Sequence, residues 1–250
     1  MYKLYNGDCL EVMKEIEDNS VDMILCDLPY GVTACKWDSV IPFDKMWGQY
    51  KRIIKTSGNI VLFASQPFTS ELILSNKNWF AYNWIWKKEQ GTNFLLANKM
   101  PLKIHVISHY NIKGLPDYED LKKKTYEQEF FRVYNPQETE GKSYISGKGT
   151  SGEVTGNVTK IQTINKGTRK PTSILEFKRE TGLHPTQKPV GLLEYLIKTY
   201  TNEGMTVLDN CMGSGSTGAA CMNTNRKFIG IELDENYFNI AKNRIEECVK

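Results

Sequence analysis

Along the first hundred residues the apolar and polar positions fall alternately into strand patterns and helix patterns. Lys3–Tyr5 reads as a short strand, and Asp8 is placed to cap a helix running through Glu17, with Leu10, Val12, Met13 and Ile16 on one face. Val21–Cys26 is a compact apolar run ending in Asp27, as expected of a strand buried on both faces in a parallel sheet. A loop over Leu28–Val40 leads to a helix over Phe43–Lys55 that stops near Gly58. A second buried strand follows at Asn59–Ser65, then a helix from about Pro67 and strands over Phe80–Lys87 and Lys103–Tyr110.

Regular spacing stops after Tyr110. Residues 141–170 hold six Gly, three Ser and five Thr with no strand or helix period, and six basic residues against the single acid Glu153. This composition predicts a flexible basic insertion rather than a core element. Order returns beyond His184. Val190, Leu193, Leu196, Ile197 and Tyr200 share a helix face, Thr206–Asp209 is a strand, and a glycine-rich turn opens a helix that continues through Ala219–Asn223. Phe228–Leu233 is a further strand, and Phe238, Ala241, Ile245 and Cys248 line one face of the last helix. Alternating β and α units without an internal repeat predict a parallel sheet covered by helices on both sides.

The chain has 250 residues, 40% of them hydrophobic and 11% aromatic, which suits one large domain or one domain carrying an insertion and excludes wholesale disorder. The net charge of +3 is too small to announce a partner. Six scattered cysteines form no C-x-x-C pair, and the three histidines, His105, His109 and His184, do not stand at zinc spacing from them, so no metal site is expected. The start carries acids and no apolar run, and the longest apolar run, Ile60–Ala64, is far too short to span a membrane. The expectation is a soluble intracellular protein with reduced thiols.

Two segments carry chemistry. Asp209-Asn-Cys-Met-Gly213-Ser-Gly215-Ser-Thr-Gly218 follows a strand, opens a helix and fits G-x-G-x-x-G. Glycines there let the backbone turn tightly and approach a nucleotide-type cofactor, and Glu232, at the end of the next strand, can accept hydrogen bonds from ribose hydroxyls. The turn by itself fits a dinucleotide as well as S-adenosylmethionine. It stands more than 200 residues into the chain, so the N-terminal βα units must supply the remaining strands, as in a permuted sheet. Asp27-Leu28-Pro29-Tyr30 ends the Val21–Cys26 strand, at the edge where open α/β sheets bind ligands. Asp27 offers an acceptor for an exocyclic amine and Tyr30 a stacking face for an extruded base.

Together with His184-Pro-Thr-Gln-Lys-Pro189, these two segments and their order resemble the S-adenosylmethionine-dependent DNA amino-methyltransferases of the permuted β class. An aspartate-first catalytic segment is typical of the adenine-N6 members, whereas cytosine-N4 members more often begin with serine. Gly31–Asp38 is similar to phage and prophage members of the group. The resemblance implies a Rossmann-like methyltransferase fold with a mostly parallel seven-stranded sheet. Residues 1–110 and 184–250 would form the catalytic and cofactor-binding domain, and 111–183 an inserted target-recognition region containing the basic segment 141–170.

Carried onto this sequence, Asp27 and the Leu28 carbonyl would hold the adenine amino group, with Pro29 fixing the backbone and Tyr30 stacking on the flipped base. Asp209, Cys211, Gly213, Ser214, Gly215, Ser216 and Thr217 would surround the methionine part of S-adenosylmethionine. Glu232 would hold its ribose, and Asp8 and Cys9 would meet its adenine. Thr186, Gln187 and Lys188 would lie near the methionine carboxylate, and Asp27 borders the cofactor as well. Leu28 replaces a commoner proline, and Cys211 stands where phenylalanine is usual.

Lys36 and Trp37 either contact DNA or belong to a solvated loop with a packed tryptophan. Lys142, Lys148, Lys160, Lys166, Arg169 and Lys170 are candidate contacts to the DNA backbone. Trp84 and Trp86 fit core packing better than DNA contact. His184 either orients the cofactor segment or is structural.

The resulting expectation is a site-specific adenine-N6 methyltransferase of double-stranded DNA in the cytoplasm of a bacterial or phage-infected cell, without membrane association. A homodimer and a cognate restriction enzyme are further partners to look for. Cytosine-N4 methylation on the same scaffold is the nearest rival. An NAD-dependent dehydrogenase would explain only the glycine turn.

Overall fold

The computed structural model describes residues 1–31, 38–89, 98, 105–111, 133–140, 144–146, 163–165, 168–180, 182 and 187–249. The chain divides into two compact units, Met1–Asn135 with Ser173–Lys250, and Pro136–Thr172.

In chain order the first part of the larger unit contains β1 (Tyr2–Asn6), α1 (Cys9–Val12), a 3₁₀ turn (Met13–Glu15), β2 (Val21–Asp27), α2 (Phe43–Ile53), β3 (Ile54–Ala64), α3 (Phe68–Ser75), β4 (Phe80–Lys87) and β5 (His105–Asn111). The smaller unit holds two antiparallel pairs, β6 (Thr139–Glu140) with β9 (Thr168–Arg169) and β7 (Tyr144–Ser146) with β8 (Thr163–Asn165). The chain then returns to the larger unit with β10 (Ile174–Glu176), α4 (Val190–Tyr200), β11 (Thr206–Asp209), α5 (Ser216–Asn223), β12 (Lys227–Glu232) and α6 (Glu235–Glu247).

Among the described residues the main sheet has eight strands in the order β1-β12-β11-β2-β3-β5-β4-β10. Only β5 runs against its neighbours. The first strand of the chain lies parallel to the last, from Tyr2 opposite Phe228 to Asn6 opposite Glu232. The eighth strand corrects the expected seven. Ile174–Glu176, assigned from sequence to the insertion, pairs parallel with Ile85–Lys87 and buries Leu175, so the larger unit resumes at Ser173 rather than at residue 184. Three residues with one apolar side chain facing inward are too short for a period to register.

The two-residue alternation sorts side chains onto two faces. Met23 and Leu25 of β2, Val61 and Phe63 of β3 and Val207 of β11 pack with α4, α5 and α6. Their neighbours Ile24, Cys26, Ile60, Leu62 and Leu208 pack with Met13, Met46, Tyr50, Ile53, Phe68 and Leu72 on the other side. A sheet covered twice in this way has nearly continuous apolar strands, which is why β2 and β3 were legible.

Gly58 does not stop α2. The helix ends at Ile53, β3 begins at Ile54, and the register slips so that Val21 faces Ile54 while Met23 faces Asn59. A Cβ at Gly58 would lie 2.5 Å from Ile54 Cγ1 and 3.0 Å from the Lys55 carbonyl oxygen, so the glycine accommodates a bulge. The expected helix from Asp8 to Glu17 is shorter than its apolar face suggests. It runs over Cys9–Val12 and tightens into the 3₁₀ turn.

Candidate active site

All strands of the main sheet except β5 end at one edge, and β2 and β11 are neighbours, with Met23 opposite Val207 and Ile24 opposite Leu208. The sequence segments that end these two strands, Asp27–Tyr30 and Asp209–Gly218, are therefore brought to the same edge although about 180 residues separate them in the chain.

The glycine turn is held from within. Asp209 is 3% exposed. Its Oδ1 accepts from the Cys211 amide at 3.1 Å and its Oδ2 from the Thr217 hydroxyl at 2.6 Å. Burial pushes its carboxyl up to about 6, opposed by those donors. Gly213 (φ +52°) and Gly215 (φ +76°) are left-handed, and a Cβ on Gly215 would lie 2.9 Å from the Ala241 backbone, so this turn requires glycine to seat α5 against α6. The Ser216 hydroxyl accepts from Arg244 at 2.8 Å. Ser214 and Ser216 are both buried, and the Arg244 guanidinium also reaches the Ser214 carbonyl at 3.4 Å.

Glu232 ends β12. Its Oε2 accepts from the Gly213 amide at 2.8 Å and its Oε1 from the Asp234 amide at 2.9 Å, while burial raises its pKa. Asn6 and Gly7 at the end of β1 donate to the Glu232 carbonyl at 2.8 and 3.0 Å. Asp8 Oδ1 caps α1 through the amides of Leu10 and Glu11. Cys9, Cys26 and Cys211 pack on the same side of the core, and burial pushes Cys26 up to about 12. Next to it the Tyr50 hydroxyl donates to Asn210 Oδ1 at 2.6 Å.

At the end of β2, the Tyr30 hydroxyl donates to Asp27 Oδ1 at 2.6 Å, and the Tyr30 ring packs at 5.2 Å from that of Phe68. Leu28 is buried. The turn is clamped by Asp38, whose Oδ1 accepts from the amides of Tyr30 at 2.7 Å and Gly31 at 2.9 Å. Asp38 is a support that sequence reasoning missed, because one aspartate in a loop shows nothing of the amides it will cap.

Lys188, expected beside a cofactor carboxylate, makes a salt bridge to Asp27 Oδ2. Gln187, next to it, is half-buried. Lys88, just past β4, is a second buried lysine that sequence reasoning passed over. Its ammonium lies 5.2 Å from the centre of the Trp86 ring, and burial together with the charges of Lys188 and Arg179 lowers its pKa to about 8. Trp84 and Trp86 are core residues, as expected.

In the smaller unit, Lys170 pairs with Glu138, and Arg169 ends β9. Lys36, Trp37, Lys142, Lys148, Lys160, Lys166, His184 and Thr186 lie outside the described residues.

With this geometry in place, comparison with known proteins finds that a family model described as "DNA methylase" matches residues 21–243. Relatives include the Type II methyltransferase M.HpaI of Haemophilus parainfluenzae, 28% identical over 98% of this chain and 74% of its own length. Another is the Type II methyltransferase M2.MboI of Moraxella bovis, 25% identical over 98% of this chain and 88% of its own. Among solved structures, the complex of M1.HpyAVI with SAM superposes with a TM-score of 0.62 at 24% identity, covering 98% of this chain and all of that one. The cytosine-N4-specific PvuII DNA methyltransferase gives 0.65 at 15% identity, covering 99% and 90%.

Proposed function

Because the chain belongs to the DNA methylase family, we propose that it transfers the methyl group of S-adenosylmethionine to N6 of an adenine flipped out of double-stranded DNA. The observation that carries this reading is the adjacency of the Asp27–Tyr30 turn and the Asp209–Gly218 turn on paired strands β2 and β11. One half of the sheet edge then serves a cofactor and the next strand serves an acceptor amine.

The residues present fit the cofactor. Each oxygen of Glu232 accepts one backbone N–H and keeps a lone pair for a ribose hydroxyl. A Cβ on Gly213 would meet nothing within 4 Å, so the turn leaves space beside the backbone. S-adenosylmethionine, when bound, supplies an electrophilic methyl group on a sulfonium. Asp209 and Thr217 keep the turn in shape, and Asp8 and Cys9 border the adenine side.

Asp27 accepts one N–H of the target amine and the Leu28 carbonyl the other. These bonds draw the nitrogen lone pair away from conjugation with the ring and toward the methyl donor. Holding amine and donor in line supplies much of the rate, because positioning alone is worth several kcal/mol of barrier. Tyr30 offers the stacking surface that offsets the few kcal/mol needed to extrude the base. Residues 111–172 would read the target sequence, with 141–170 neutralising phosphates. The enzyme would work in a bacterial cytoplasm, as a homodimer and alongside a cognate restriction enzyme.

The test is to methylate DNA from a methylation-free host with the purified protein and digest it to nucleosides. N6-methyladenine is expected. N4-methylcytosine would replace adenine by the rival base, and the absence of any methylated nucleoside overturns the reading. Asp27→Ala should abolish transfer while leaving cofactor binding largely intact by calorimetry.

A further inference from the structure

The Asp27 carboxylate is held from two sides, by the Tyr30 hydroxyl at Oδ1 and by the Lys188 ammonium at Oδ2. Lys188 is 5% exposed, and its ammonium lies 5.1 Å from the centre of the Phe63 ring on the neighbouring strand β3. Its backbone is fixed as well. Pro189 follows it directly at the start of α4, the Val190 amide donates to Glu180 Oε1 at 3.0 Å, and Glu180 approaches Arg244 of α6 at 3.8 Å. A lysine ordinarily gives up much of its rotamer entropy to adopt one geometry. Here burial, the aromatic ring and the clamped backbone impose that geometry.

The consequence falls on Asp27. The terminal torsion of an aspartate is broad, so an otherwise unrestrained carboxylate swings about it. Two donors on opposite oxygens fix its plane. An ionised carboxylate offers about four acceptor directions, so Tyr30 and Lys188 leave others open to a third donor. The target amine needs such an acceptor in a fixed direction.

We propose that Lys188 is a positioning residue for methyl transfer: it sets the plane of the Asp27 carboxylate for the incoming amine, and does not serve mainly as a partner for the carboxylate of the cofactor. The proposal rests on the amino-methyltransferase reading above. It predicts an effect on the chemical step and little on cofactor affinity, the reverse of what a cofactor-binding lysine would show.

The experiment compares wild type, Lys188→Gln and Lys188→Arg. It measures single-turnover methyl transfer at saturating cofactor and DNA, cofactor binding by calorimetry, and thermal melting. Lys188→Gln is expected to slow single-turnover transfer about 100-fold, the size typical of a misplaced reacting group, with the cofactor Kd changed by less than about threefold. Lys188→Arg keeps a charged donor to the carboxylate and is expected to recover about tenfold of that loss.

A Gln variant with the wild-type single-turnover rate and weakened cofactor binding overturns the proposal and assigns Lys188 to the cofactor. Failure of both variants to fold, or equal loss of rate in both without recovery by arginine, assigns it to stability and also overturns it. Wild-type protein that methylates no DNA would instead remove the parent reading, before any variant is compared.

Discussion

Thr217 closes the glycine turn onto Asp209, its hydroxyl donating to Oδ2 at 2.6 Å across eight residues of chain. That bond only partly offsets the burial of a carboxylate that is 3% exposed and whose pKa is pushed from 3.8 up to about 6. In the unfolded chain Asp209 loses its proton near 3.8, in the folded protein near 6. Between those values the folded state holds more protons, so this group makes stability fall as pH rises through the window and leaves it lower above pH 6. The shift corresponds to about 3 kcal/mol. Asp209→Asn should lack this fall. Urea unfolding at about pH 4 and pH 8 should show the variant gaining on wild type by about 2–3 kcal/mol across the window. A constant difference at both pH values would mean that Asp209 is not the group responsible.

Tyr30 is asked to do two things, and two substitutions separate them. Tyr30→Phe keeps the ring against Phe68 and removes the donor to Asp27 Oδ1. It is expected to slow single-turnover transfer about tenfold, the worth of one oriented hydrogen bond of about 1.5 kcal/mol, without weakening DNA binding. Tyr30→Ala also removes the stacking face, worth about 1–3 kcal/mol per base, and should weaken binding of duplexes in which the target base is mispaired and easily extruded. If the Phe variant transfers at the wild-type rate, the hydroxyl has no part in aiming Asp27.

Much of this arrangement was legible because it is local. β2 and the Ile60–Ala64 half of β3 announce themselves as compact apolar runs, and the spacing of Gly213, Gly215 and Gly218 after a strand already marks a turn that opens a helix. What was not legible depends on pairing between distant parts of the chain. Lys188 meets Asp27 across 161 residues, and no local period near Gln187 or Pro189 points at β2. β10 is three residues long and becomes a strand only because β4 offers it an edge. Gly58 reads as a helix stop because glycine usually is one, and only the slip between Val21 and Met23 turns it into a bulge.

Gly215 and Gly204 are both left-handed, at φ +76° and +78°, but only the first is crowded. A Cβ at Gly204 meets nothing within 4 Å, whereas at Gly215 it meets the Ala241 Cα and Cβ at 2.9 Å. Gly204→Ala should therefore cost only the backbone term, about 1–2 kcal/mol. Gly215→Ala should cost about 3 kcal/mol or more, because the backbone of α6 must move, and it should weaken cofactor binding as the turn shifts. Urea midpoints of the two variants check this directly, and equal midpoints would contradict the crowding argument.

Tyr200 ties α4 to β4 by accepting from the Trp84 indole N–H at 2.6 Å and sharing a 2.8 Å hydrogen bond with the Tyr82 hydroxyl. Neither element carries Asp27 or Asp209. Tyr200→Phe removes the acceptor of a buried donor, which costs about 1–3 kcal/mol. Single-turnover transfer at a temperature where the variant is fully folded should match wild type. A slower chemical step in the folded variant would show that this network reaches the site.

The modest net charge of +3 conceals a segment, 141–170, with six basic residues and one acid. If that segment lies on the DNA backbone, each lysine on a phosphate contributes about 0.9 to the slope of log affinity against log salt. Replacing Lys142, Lys148, Lys160 and Lys166 together by glutamine should flatten that slope by about 0.9 for each phosphate no longer neutralised, and weaken binding most at low salt. Because these residues supply charge rather than chemistry, single-turnover transfer with DNA at saturation should stay close to wild type. The measurement is a salt titration of DNA affinity between about 50 and 200 mM, a range over which neutralising several phosphates changes affinity by orders of magnitude. An unchanged slope would place the DNA-binding charge elsewhere on the protein, and a changed sequence preference would mean that some of these lysines read bases rather than phosphates.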